Sequence, residues 1–123
     1  MYQKAIDINQ HADAYNKLGS IYVSNHQFDK AKLLYIKALE VHPKYAKLHA
    51  SKGVVEFYTE DYESAKKSLK KAIELDAELG SAYSMLGLLE LVTGDKTDAC
   101  THLNKAKELG DQTVDQYIQE YCK

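Results

Sequence analysis

Gly19, Gly53 and Gly87 stand 34 residues apart, and two alanine columns, Ala31, Ala65, Ala99 and Ala38, Ala72, Ala106, repeat with the same step. Three columns of small residues in one register make the chain an array of copies of one unit, stacked so that neighbours share a core. With six glycines and one proline, it lacks the turn punctuation that a many-stranded β protein needs every ~8–12 residues, so the unit is helical. Each period accommodates two antiparallel helices of about 14 residues, ~21 Å long, across a short turn. Gly19, Gly53 and Gly87 of the first helices are expected to meet Ala31, Ala65 and Ala99 of the second, letting the axes approach toward the lower end of the ~8–10 Å range. Apolar stripes at helical spacing surround these contacts: Leu18, Ile21, Leu34, Tyr35 and Val41, then Val55, Leu69, Ile73 and Leu75, then Leu86, Leu89, Leu103 and Leu109.

The period predicts helices over 12–25, 28–41, 46–59, 62–75, 80–93 and 96–109, with a partial helix over 2–9, a capping helix over 113–122 and no strand. Asp61 and Asp95 precede second helices, where a carboxylate can accept unpaired backbone N–H groups. Pro43 and Gly110 follow helices as terminators.

The unit at 12–45 resembles the tetratricopeptide repeat, with Tyr15, Leu18, Gly19, Tyr22, Ala31, Tyr35, Ala38 and Pro43 at the motif positions. The unit at 46–79 keeps Gly53, Tyr62, Ala65 and Ala72 but has Lys52, Glu56 and Ala77 where the family prefers Leu, Tyr and Pro. The unit at 80–113 keeps Tyr83, Leu86, Gly87, Gly94, Ala99 and Ala106 and departs at Glu90, Lys96 and Asp111, departures expected to weaken single contacts only. The resemblance implies an all-α fold, a right-handed α-α superhelix of three helix-turn-helix repeats in one domain over 1–123. Residues 1–11, with Tyr2 and Ala5, echo the second helix of a preceding repeat, and 113–123 form the capping helix. The opening reads like the interior of an amphipathic helix, as expected of a piece of a longer parent, and shows no secretory leader; the compartment stays open.

A net charge of -2 and a pI near 6.2 argue against a nucleic-acid partner, since phosphate binding needs clustered cations. The run Lys66, Lys67, Lys70, Lys71 has Glu63 and Glu74 as helical neighbours and reads as a solvated helix face. Of the ten tyrosines, Tyr15, Tyr35 and Tyr83 occupy core motif positions rather than a base-stacking platform. No apolar run approaches the ~18–20 residues of a membrane span, so no membrane partner is expected. Nucleophile-elbow, phosphate-loop and zinc-protease motifs are absent from the sequence, and the reading is of a non-enzyme without cofactor. The histidines His11, His26, His42, His49 and His102 fall mostly near helix ends and turns and read as solvated or capping, so no metal is expected.

The resemblance implies a protein-binding scaffold whose concave face is lined by the first helices. That face comprises Asp13, Asn16, Lys17, Ser20 and Val23, then Lys47, Ala50, Ser51, Val54, Phe57 and Tyr58, then Ser81, Ser84, Met85, Leu88 and Leu91. It is polar at one end and apolar at the other. Val54, Phe57, Tyr58, Met85, Leu88 and Leu91 would anchor a peptide or helix of a partner protein, with Lys17 and Lys47 at the rim. The family's Lys and Asn clamp for acidic chaperone tails is replaced by Asn16, Ser20, Ser51, Ser81 and Met85. The competing reading is a structural spacer, or a homo-oligomer formed through exposed repeat ends. The last repeat and cap look like those of bacterial members. Cys100 lies ten residues before Gly110 and Cys122 twelve after it, so helices folding back there leave both a disulfide and two buried thiols open as readings.

Overall fold

The structure, a computed structural model, describes the backbone of residues 2–122 and the side chains of residues 11–122. The elements are α1 (Tyr2–Ser24), α2 (Phe28–Val41), α3 (Ala46–Tyr58), α4 (Tyr62–Leu75), α5 (Gly80–Thr93), α6 (Lys96–Glu108), a short 3-10 turn (Gln112–Val114) and α7 (Asp115–Tyr121). Helices α2 to α6 lie within a residue of the bounds the period predicts, and no strand occurs among the described residues. The expected break between a leading helix and the first repeat is absent: α1 is one helix of 23 residues. The segment Ile8–Ala14 holds neither Gly nor Pro, so nothing stops the helix there. The side chains of Tyr2 and Ala5 lie outside the described residues.

Each helix packs on the next, and the first helices also meet one another, α1 with α3 and α3 with α5. They therefore form one continuous side of the stack. The core is three linked clusters: Ala12, Ala31, Tyr35, Ala38, Leu48 and Val55; then Ala50, Ala65, Leu69, Ala72, Ala82, Leu86 and Leu89; then Leu103, Ala106 and Val114. The first two each take residues from one repeat and from the first helix of the next. Every fully buried leucine in them contributes roughly 1.5–3 kcal/mol relative to exposure.

The glycines meet larger groups than the alanine columns. A Cβ built on Gly53 would face the Leu69 side chain, on Gly87 that of Leu103 and on Gly19 the ring of Tyr35, with the carbonyls of Ala65 and Ala99 close behind the first two. Three residues expected in the core are instead exposed: Leu18 at 41%, Ile21 at 57% and Val41 at 65%. Helix α1 packs on α2 and α3, and Leu18 and Ile21 lie on a part of it that neither covers.

The predicted caps form. Asp61 accepts from the Ser64 N–H and Asp95 from the Asp98 N–H, both at 3.4 Å. His26, Glu60 and Gly94, one repeat apart from each other, all take positive φ (59°, 64° and 90°), which closes the turn inside each helix pair. Asp111, where the motif has Pro, bonds the Ser84 hydroxyl, the Thr113 hydroxyl and the Thr113 N–H, tying α5 to the turn before α7. Burial pushes its carboxyl up, but these hydrogen bonds outweigh it and hold the pKa below the usual value.

Helix α7 has seven residues, too few to persist alone. It is held by Val114 and Ile118 against Leu103 and Ala106, and by a Cys100–Cys122 disulfide with Cα atoms 5.6 Å apart. With a sequence separation of 22, the chain-entropy account gives about 3 kcal/mol of stabilisation. Urea unfolding of the reduced chain, or of Cys122→Ser, should therefore show an unfolding free energy lower by about that amount; equal stability in both redox states would contradict it.

A candidate binding groove along the first helices

Side chains on the shared side of α1, α3 and α5 divide into a polar and an apolar region. At the polar end the Ser51 hydroxyl donates to the Asn16 side chain at 2.5 Å, joining α3 to α1. Ser20 donates to the Asn16 carbonyl at 3.0 Å. Two clefts open here. One, of ≈270 Å³, is lined by Asn16, Lys47, Ala50, Ser51, Val54, Leu79 and Ser81; the other, of ≈280 Å³, by Ser20, Val23, Ser24, Tyr35, Ser51 and Val54. Burial raises the pKa of the Tyr35 hydroxyl, partly offset by the Ser20 and Ser51 hydroxyls beside it, so the floor of the second cleft is a neutral donor.

Asp13, on the same helix, is bonded by the Tyr45 hydroxyl. Burial first, then the hydrogen bond and charge of Asp13, push Tyr45 up to about 12, so Tyr45 stays a neutral donor. Lys47 lines the first polar cleft. Lys17 is exposed and lines neither. Ser84, placed by the sequence on this face, is buried and turned to Gly80 and Asp111.

The apolar end is a cleft of ≈480 Å³ lined by Phe57, Leu88, Leu91, Val92, Gly94, Lys96, Tyr117 and Tyr121. Three of the six apolar residues singled out from the sequence, Phe57, Leu88 and Leu91, come together there. Phe57 also packs on the central core and edge-on against Tyr62 at 5.8 Å, and Leu91 packs on the last core cluster, so both have structural duties. Val54 lines the polar clefts instead. Met85 is half-buried against the central core. Tyr58 stacks on Phe28 of α2 at 5.6 Å.

Tyr117 and Tyr121 are the residues that sequence reasoning missed. They lie one helical turn apart on α7, exposed at 38% and 41%, and make the outer wall of the cleft. Their i, i+4 spacing is visible in the sequence, but the side they face depends on how α7 docks. Two motif departures also behave unlike weakened contacts: Glu56 and Glu90 are each 1% exposed and hydrogen-bonded. Two histidines read as solvated or capping are packed instead: His42 is buried, and His102, part-exposed, donates from Nδ1 to Glu90 Oε1 over 2.5 Å.

Solved structures share this architecture. The first tetratricopeptide domain of Spaghetti (RPAP3), bound to the HSP90 peptide SRMEEVD, aligns with a TM-score of 0.85 at 18% identity, over 92% of this chain and 91% of that one. The tetratricopeptide domain of Sgt2 from Aspergillus fumigatus aligns at 0.83 and 20% identity, over 90% of this chain and 76% of that one. The second such domain of human RPAP3, in complex with the HSP70 peptide SGPTIEEVD, aligns at 0.82 and 19%, over 94% and 98%. At these identities the likeness is one of fold. No curated protein sequence matches the chain. The tetratricopeptide repeat family model matches residues 12–45 and 46–79, more than half of the sequence, and with the repeated helix pairs above it follows that the chain belongs to the tetratricopeptide repeat family.

Proposed function

We propose that this chain is a non-catalytic scaffold that takes a peptide or helix of a partner protein along its first helices. The observation that carries the reading is the ≈480 Å³ apolar cleft, whose rim includes the exposed Val92, Tyr117 and Tyr121. Clustered exposed apolar and aromatic side chains mark interaction sites, and Tyr adds a polar tip to a large contact area. The relatives in which peptides sit on the same architecture support the class of ligand. They do not carry over the ligand itself, because Asn16, Ser20, Ser51, Ser81 and Met85 stand where a clamp for acidic tails would hold Lys and Asn. The fitting ligand places apolar anchors in the cleft and acidic residues toward Lys47 and Lys96, an attraction weakened by salt.

A second reading, stacking on another repeat array or copy, is favoured by the opposite end, where Leu18 and Ile21 are exposed beside a hollow of ≈250 Å³ lined by His11, Ala14, Tyr15 and Leu18. Sedimentation equilibrium separates the two: under this reading mass rises with concentration and the rise disappears in Ile21→Lys, whereas a chain monomeric throughout contradicts it.

For the groove, a random linear peptide library selected against the immobilised chain should return sequences with paired apolar anchors and acidic flanks. Leu88→Ser with Tyr117→Ser should weaken the selected peptide at least about tenfold, ~1.4 kcal/mol, with Tm nearly unchanged. The peptide SRMEEVD should bind more weakly than the selected one. Selected peptides without apolar anchors, or binding indifferent to the double substitution, would contradict the reading.

A further inference from the structure

Glu56 and Glu90 lie at the same place in successive repeats, 34 residues apart, and are equally buried at 1% exposure. Their surroundings differ in charge. Glu56 accepts from Ser68 at 2.6 Å and Lys52 at 3.0 Å, with Lys32 at 3.8 Å; Lys32 also lies 4.0 Å from Asp61. Two acids there are balanced by two lysines. One repeat later, the places of Lys52, Ser64, Ser68 and Asp61 hold Leu86, Asp98, His102 and Asp95. Lys66, in the place of Lys32, makes no ion pair among the described residues.

The third repeat thus gathers three carboxylates against one imidazole. The ligand oxygens of Glu90, Asp95 and Asp98 lie within 4.8 Å of one another. Glu90 Oε1 meets His102 Nδ1 at 2.5 Å, but Glu90 Oε2 is buried with no hydrogen-bond partner. A buried carboxylate oxygen without a partner is costly, and a cation beside it would remove that cost.

We infer that Glu90, Asp95 and Asp98 hold a calcium ion, which supplies the positive charge that Lys52 brings in the second repeat and Leu86 does not bring here. The donors are all oxygens, which suits a hard cation. Three carboxylates in one place suit calcium, which takes about six to eight oxygens in a flexible geometry, better than magnesium, which keeps most of its waters and is usually held by one or two carboxylates. Asp98 is exposed, which leaves room for water to complete the coordination. His102 hydrogen-bonds the Glu90 carboxylate through its other oxygen, as ligating carboxylates are held by hydrogen bonds at metal sites. Lys96 lines the apolar cleft.

Isothermal titration of the chelator-treated full chain with calcium chloride should give one ion per chain with Kd between about 10⁻⁵ and 10⁻³ M, and weaker binding of magnesium. Asp98→Ser, which installs the residue of the second repeat, should weaken calcium at least about tenfold while leaving helicity intact; Asp61→Asn in the second repeat should leave it unchanged. Glu90→Gln should abolish binding, and its circular dichroism shows whether any loss comes from unfolding. A folded chain that takes up no calcium at ~10 mM, an Asp98→Ser variant that binds as well as the original, or tight zinc binding lost in His102→Ala would overturn the assignment.

Discussion

A Cβ placed on Gly53 would sit 2.8 Å from Leu69 Cγ and 3.3 Å from the Ala65 carbonyl oxygen, and one on Gly87 would sit 2.7 Å from Leu103 Cγ and 3.2 Å from the Ala99 oxygen. The two helices of each repeat therefore touch through a missing side chain, with the large residue of the second helix lying over the bare backbone of the first. The other contacts follow from that approach. It brings Leu69 and Leu103 to full burial, lets each second helix support the next first helix, and sets the first helices side by side as a single face. The polar and apolar clefts are spaces left along that face, so their shape depends on crossings on the far side of the helices that line them.

The architecture could be read from the sequence because its cause is local and repeated. Glycine and alanine columns in one register are what recurrent helix crossings require, and helices α2 to α6 follow them closely. The extension of α1 was not readable in the same way, since the period implies a break between repeats while the local residues offer nothing to make one. Leu18 and Ile21 carry the core pattern yet are exposed, because apolar spacing marks the side of a helix suited to burial and not which element covers it. The groove was half readable. Helical register brings Phe57, Leu88 and Leu91 to one side, but the tyrosine wall depends on how α7 docks, through Val114, Ile118 and the Cys100–Cys122 link, and no periodicity specifies that.

The departures from the motif carry the chemistry that its agreements do not. Replacing tyrosine by Glu56 and Glu90 places two carboxylates in the stack, and a buried charge must be neutralised where it lies. Column by column, the second and third repeats differ in how they meet that demand: Lys52 and Ser64 on one side, Leu86 and Asp98 on the other. In a repeat protein each unit serves as a control for its neighbours. Glu56 finds lysine and serine partners while one oxygen of Glu90 finds none, and the proposed calcium site rests on that difference.

The central claim, that a bare helix backbone at each crossing sets the stack, is tested most directly by a double-mutant cycle in urea between Gly53→Ala and Leu69→Ala. With Leu69 present the added methyl meets Leu69 Cγ at 2.8 Å, so Gly53→Ala should destabilise the chain by roughly 1–3 kcal/mol, less the ~1 kcal/mol that alanine gains over glycine in a helix. With Leu69 reduced to alanine the obstruction is gone and the same substitution should be neutral or stabilising, a coupling of at least ~1 kcal/mol. An equal effect of Gly53→Ala in both backgrounds would show that the crossing does not depend on the glycine, and would contradict the account.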